Sequence, residues 1–180
     1  MKALNIHGYN GSTENAAYQA LTENGCTVIS PAVDYDAASP EEILDMLRNT
    51  AEKEQIDLIA GTSLGGFFAA VLCAELHLPV ILVNPCMMPF LHLPRLGYKG
   101  EIQPFLPLFG KLSALDSRIV RCITGGKDEV IDTHDFTANL LHHTNFRVIP
   151  DGMHSGFTLP LMEYFAEILR ETKEKAASRK

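Results

Sequence analysis

The chain has 180 residues, 46% hydrophobic and 21% charged, proportions that suit a soluble globular protein able to build one sizeable core. Its formal net charge of −7, with no basic cluster, argues against nucleic acid and against an anionic membrane surface as partners. The sequence leads straight into a strand-like run rather than a secretory leader, and no apolar stretch is long enough to span a bilayer, so a cytoplasmic setting is expected. The four cysteines (Cys26, Cys73, Cys86 and Cys122) are scattered without metal-ligand spacing. Three of them fall in apolar runs, which fits reduced core residues, and neither a metal nor a cofactor is expected.

In chain order, strands alternate with helices. Leu4-Asn5-Ile6 reads as a first strand, ending in the glycine-rich turn His7-Gly8-Tyr9-Asn10-Gly11-Ser12. A helix is expected over 14–23, capped by Ser12 or Thr13 and stopped by Asn24-Gly25. A second strand covers 26–30. Ser39-Pro40-Glu41-Glu42 combines a capping residue, a first-turn proline and early acids, and starts a helix to about residue 54 that buries Ile43, Leu44 and Leu47. A third strand, 56–60, runs into Gly61-Thr62-Ser63-Leu64-Gly65, after which 66–74 is apolar all round and reads as a buried helix. A fourth strand spans 78–83.

The alternation then stops. Residues 84–115 hold Pro85, Pro89, Pro94, Pro104 and Pro107 among Met87, Met88, Phe90, Leu91, Phe105 and other apolar residues. A proline-broken apolar insertion of this length suggests a function. It suits a lid or acyl pocket above Ser63, with a plain cover for the sheet edge or a contact between copies of the chain as the alternatives. Order returns with strands over 118–124 and 146–149, a short helix over 133–142 between them, and a final helix over 159–171. The polar tail, 172–180, is expected to fray. Strands joined by crossovers imply an α/β fold: a mostly parallel six-stranded sheet with helices on both faces, in one domain spanning 1–180.

Ligands of such sheets bind at the carboxyl ends of the strands, and the chemistry-bearing residues lie there. Ser63 sits at a sharp strand-to-helix turn whose glycines avoid backbone clashes, the setting of a nucleophile elbow. A serine hydroxyl needs a general base, and the base needs an orienting carboxylate. Asp128 follows the fifth strand in Gly125-Gly126-Lys127-Asp128-Glu129-Val130, with Glu129 and Asp132 as rivals, and a helix-capping role as the plain alternative. Of the seven histidines, only His154 follows the last strand, which points to it as the base. His77 lies at a helix end, His134, His142 and His143 read as solvated helix residues, His92 could touch substrate, and His7 is expected to brace the loop after the first strand. The Leu64 N–H is a natural oxyanion donor. The second should come from that first loop, from the Tyr9 backbone N–H or, next, from Asn10, with the Tyr9 hydroxyl as a further option. Asn10, Met87, Met88 and Phe90 are the candidate substrate contacts. Lys99, Arg95 and Lys111 could meet phosphates but more ordinarily would be solvated.

These motifs, together with His154-Ser155-Gly156-Phe157, resemble those of the α/β hydrolases, and more narrowly of the small bacterial YqiA-like esterases, over nearly the whole chain. The resemblance implies a minimal three-layer fold without the two leading antiparallel strands of larger members, and a first strand between the second and the elbow strand. It also implies a Ser63, Asp128 and His154 triad, the assignment reached from the residues. The expected activity is hydrolysis of small, short-chain acyl esters through an acyl-enzyme. An acyl-CoA thioesterase using the same triad and a non-catalytic binding module remain the alternatives. A flavodoxin-like nucleotide domain is weaker, since neither a P-loop nor a Gly-x-Gly-x-x-Gly turn is present.

Overall fold

Period-two alternation along each strand sorts its side chains into two cores. Leu4, Ile6, Ile59, Val80, Leu82, Val120 and Cys122 are buried in one cluster with Phe67, Phe68 and Phe105. The intervening residues Ala3, Leu58, Ala60, Ile81, Val83 and Ile123 are buried in the other, with Leu21, Phe165 and Leu169. A sheet with both faces buried needs helices on both sides, and the computed structural model, which describes residues 1–142 and 145–177, has them. Six parallel strands, β1 (Lys2–Ile6), β2 (Thr27–Ile29), β3 (Leu58–Thr62), β4 (Val80–Val83), β5 (Val120–Gly125) and β6 (Phe146–Ile149), lie in the order β2-β1-β3-β4-β5-β6. The first strand therefore sits between the second and the elbow strand, as the resemblance implied.

One face is covered by α2 (Pro40–Glu54) and α3 (Leu64–Leu76), the other by α1 (Ala16–Glu23) and α7 (Leu161–Ala177). Helix α3 has no polar face because it is sandwiched: every residue from Leu64 to Ala74 is buried. Full burial of each of its large side chains contributes about 1.5–3 kcal/mol relative to exposure. Helix α2 starts at the capping box anticipated from Ser39, Pro40 and Glu42.

Several boundaries differ from the sequence expectation. Asn15, not Ser12 or Thr13, caps α1, its side-chain oxygen accepting from the Tyr18 N–H at 2.9 Å, so the helix starts later. Ser12 instead closes a local turn onto the Glu14 N–H. Residues Ser117–Ile119 form a 3₁₀ turn rather than the start of β5. The last helix runs on to Ala177 instead of fraying after residue 171, while 178–180 lie outside the described residues. The insertion is not a plain loop. It carries α4 (Pro89–His92), α5 (Phe105–Gly110) and 3₁₀ turns at Leu93–Leu96 and Lys111–Ala114. Phe105 and Leu108 are sunk in the core, and Phe105 stacks edge-on against Phe67 and Phe68. The last helix before β6 is shorter than expected, α6 (Asp135–Leu140).

All four cysteines are buried and unpaired. No helix among the described residues is long and apolar enough to cross a membrane.

Candidate active site

The strand-to-helix turn at the end of β3 holds Ser63 at φ 54° and ψ −122°, in the left-handed region that costs a non-glycine residue on the order of 1–3 kcal/mol. Its backbone is locked from both sides: the Ser63 N–H donates to Val83 O at 3.0 Å, and Ser63 O accepts from the Gly66 and Cys86 N–H groups at 2.9 Å. The flanking glycines are required by packing. A Cβ on Gly61 would lie 2.6 Å from Ala69 Cβ, and one on Gly65 would collide with the carbonyls of Ile6 and His7. Gly8 brings the loop after β1 equally close, since a Cβ there would sit 2.8 Å from Ser63 Cβ.

That loop is pinned by His7. Its Nδ1–H donates to Gly8 O at 2.8 Å and its Nε2 accepts from the Val33 N–H at 3.0 Å, which fixes a neutral ring, while the Tyr35 hydroxyl donates to His7 O at 2.6 Å. Asn10 occupies a left-handed φ of 55° at the turn. The Tyr9 hydroxyl turns away toward Asp36 (3.1 and 3.2 Å) and Gly97 O (3.3 Å), so of this residue only the backbone N–H stays a candidate oxyanion donor. As the first residue of α3, Leu64 has no intrahelical acceptor for its N–H and lies at the positive end of the helix dipole. A cavity of about 320 Å³, lined by His7, Tyr9, Asn10, Asp34 and Asp36 among others, opens beside this loop.

The loops after β5 and β6 bring an acid and a histidine together. His154 Nδ1 lies 3.0 Å from both carboxylate oxygens of Asp128, whose side chain is only 2% exposed. Of the rival acids, Glu129 accepts from the His154 backbone N–H at 3.0 Å, and Asp132 is exposed and paired with Arg95. Asp128 Oδ1 also accepts the Val130 and Ile131 N–H groups at 2.9 and 2.8 Å, so the turn-capping role operates alongside the histidine contact. Burial alone would raise the proton affinity of this carboxyl. Hydrogen bonds from His134, His154 and the Ile131 N–H outweigh it and hold the group well below the ordinary carboxylate range.

A carboxyl depressed in the folded state stabilises the fold fully above its unfolded value of about 3.9, and the contribution fades as pH falls toward the folded value. Asp128→Asn is therefore expected to be less stable than the wild type at pH 7, with the gap narrowing below about pH 4. Denaturant unfolding at both pH values checks this, and a pH-independent gap would contradict it.

Two residues contribute more than the sequence suggested. Asn84 directly follows β4 at a left-handed φ of 43° and is fully buried. Its Nδ2 donates to the carbonyls of Met153 (2.9 Å) and His154 (2.8 Å), and its Oδ1 accepts the Gly125 N–H at 2.7 Å. It thus ties the ends of β4 and β5 to the histidine loop. Its place after a strand was a signal; its three bonds were not. His134 is not the solvated helix residue anticipated: it precedes α6, its side chain is 9% exposed, and its Nε2 lies 2.9 Å from Asp128 Oδ2. His142 is exposed as expected, and His143 lies outside the described residues.

The insertion residues fall differently from one another. Met87 is buried in the core, Met88 is partly buried, and Phe90 stacks edge-on with Phe109 at 5.1 Å. His92 is 4% exposed, its Nδ1 3.8 Å from Asp132, and burial lowers its proton affinity. Arg95 pairs with Asp132, and Lys111 with Glu75, so neither is a free cation. The nearby Cys86 thiol is pushed up to about 12 by burial and by the Asp128 charge, which disfavours it as a nucleophile.

Residues 2–104 match the sequence profile of a family described as Uncharacterised protein family (UPF0227), and the chain belongs to that family. No curated protein sequence gives a significant match. Solved structures do. One comes from a study of carboxylesterases of the thaumarchaeon Nitrososphaera gargenis: it is 15% identical, with a TM-score of 0.67, over 99% of this chain and 92% of its own. Est1E from Butyrivibrio proteoclasticus is 17% identical at TM-score 0.67, over 94% of this chain and 88% of its own. A Xanthomonas campestris protein assigned to the α/β-hydrolase superfamily is 20% identical at TM-score 0.66, over 94% and 97%. At these identities the likeness establishes the α/β-hydrolase fold.

Proposed function

We propose that this member of the UPF0227 family is a serine carboxylester hydrolase for small acyl esters, with Ser63 as nucleophile, His154 as general base and Asp128 as the acid that orients it. The observation that carries the reading is the buried Asp128 carboxylate on His154 Nδ1. By accepting the Nδ1–H it leaves the Nε2 lone pair free to take a proton and stabilises the imidazolium that results. The strained serine turn has no evident use in a binding module, and strain of this kind gathers at functional sites.

Ser63 Oγ attacks the acyl carbonyl carbon while its proton passes to His154 Nε2. The tetrahedral oxyanion accepts the N–H groups of Leu64 and of Tyr9, with Asn10 the neighbouring donor. The carbon–oxygen bond to the alcohol then breaks, and His154 returns the proton to the departing alkoxide. Water attacks the acyl-enzyme, giving its proton to His154, and that proton returns to Ser63 as the carboxylic acid leaves. No redox step occurs, and every proton is moved by one imidazole.

Within a single domain of 1–180, residues 84–115 act as a short lid over the serine, with Met88 and Phe90 facing substrate beside Asn10; Met87 supports them from the core. Arg95 and Lys111 are already neutralised by Asp132 and Glu75, which leaves Lys99 alone of the three candidate cations for a phosphate and favours a plain ester over a CoA thioester. The reaction runs in the cytoplasm.

The test is a p-nitrophenyl ester series from acetate to laurate. Acetate and butyrate are expected to be the best substrates, with kcat/KM lower by about 10-fold or more for laurate. A profile rising with chain length would overturn the small-acyl assignment, and a folded protein that turns over none of the series would overturn the esterase reading.

A further inference from the structure

A carboxylate offers about four acceptor sites, and those of Asp128 are filled in an ordered way. Oδ1 takes two backbone N–H groups, Oδ2 takes His134 Nε2 at 2.9 Å, and His154 Nδ1 stands 3.0 Å from each oxygen. The turn alone therefore anchors only one oxygen. The torsion that turns an aspartate carboxylate is soft, and His134 is the contact that fixes the other oxygen. Its own ring gains little otherwise: the Nδ1 atom is buried with no hydrogen-bond partner, a burial that carries a penalty. An apolar side chain would fill the same space without that penalty. The ring is thus placed for what its Nε2–H does.

We propose that His134 is a positioning residue for the triad acid: its Nε2–H clamps Asp128 Oδ2, so that both carboxylate oxygens are held toward His154 Nδ1. This rests on the triad assigned above. His134 touches neither the serine nor the proton in flight and acts through Asp128. The other titratable groups around the pair are Glu129, on the His154 N–H, Asp132 with its partners His92 and Arg95, Asp135 at the start of α6, and Cys86, whose buried thiol feels the Asp128 charge. None of them replaces the lost N–H donor.

Removing that donor leaves the carboxylate more basic and freer to rotate. More of its charge then falls on the imidazole side of the pair, so the acidic limb of kcat/KM moves to higher pH. Less precise aim lowers kcat, while KM for a small ester stays nearly unchanged.

The experiment compares His134→Ala and His134→Gln with the wild type on p-nitrophenyl acetate, across pH. In His134→Ala, kcat is expected to fall on the order of 10-fold at unchanged KM, with the acidic limb displaced to higher pH. His134→Gln keeps an N–H donor and should recover most of both. Wild-type kcat and pH profile in His134→Ala, or a glutamine variant as impaired as the alanine one, would overturn the proposal. Should the alanine variant not fold, histidine ¹⁵N–¹H correlation spectra of the wild type decide: protonated Nε2 on His134 supports the clamp, and the Nδ1–H tautomer overturns it. Failure of the triad itself is separable, because it would show as activity that survives Ser63→Ala.

Discussion

Ser63→Ala is expected to lower kcat for p-nitrophenyl acetate by on the order of 10⁴-fold or more, with thermal unfolding within about a degree or two of the wild type. The change removes one oxygen from a side chain that is 8% exposed, and leaves the backbone bonds to Val83, Gly66 and Cys86 intact. The loss therefore belongs to chemistry and not to folding. His154→Ala should cost a similar factor, and the double variant little more than either single one, as expected if the proposed nucleophile and base act as a unit. Additive losses would mean that the two residues serve separate steps.

The second large effect falls on a residue that need not meet substrate. Asn84→Ala leaves three groups without their partner: the Gly125 N–H and the carbonyls of Met153 and His154. Each unpaired buried group costs about 1–3 kcal/mol, so a loss of about 3–5 kcal/mol in unfolding free energy is expected. Activity should fall too, by at least about 10-fold at temperatures where the variant is folded, because the His154 carbonyl is no longer tied to the end of β4. Chemical denaturation followed by initial rates separates the two effects. A variant as stable as the wild type would show that water replaces the side chain. Full activity in a destabilised variant would confine Asn84 to structure.

What the sequence disclosed and what it hid divide along physical lines. The alternation of strands and helices and the elbow were legible because they rest on local patterns: alternating apolar residues, glycines around Ser63, and the Ser39-Pro40-Glu42 helix start; the strand order was legible only through the resemblance. Asp128 and His154 were legible because each follows a strand end, where a parallel sheet gathers its reactive groups. The contact between them needed the fold. Residues 84–115 were not legible in detail, since prolines erase periodicity, and the short helices there are held by burial of Phe105 and Leu108 rather than by propensity. His134 was misread for the same reason. Its neighbours along the chain are polar, and only tertiary packing turns it under Asp128. The Tyr9 hydroxyl is a third case, drawn off by Asp36 and the Gly97 carbonyl, both distant in sequence.

The central claim is that Ser63 is an activated nucleophile. Incubation of the folded chain with a fluorophosphonate, followed by peptide mapping in a mass spectrometer, tests it most directly. The expected result is one phosphonyl adduct per chain, on Ser63, abolished in Ser63→Ala and strongly slowed in His154→Ala. Folded protein that takes up no label, or carries it on another residue, would contradict the account.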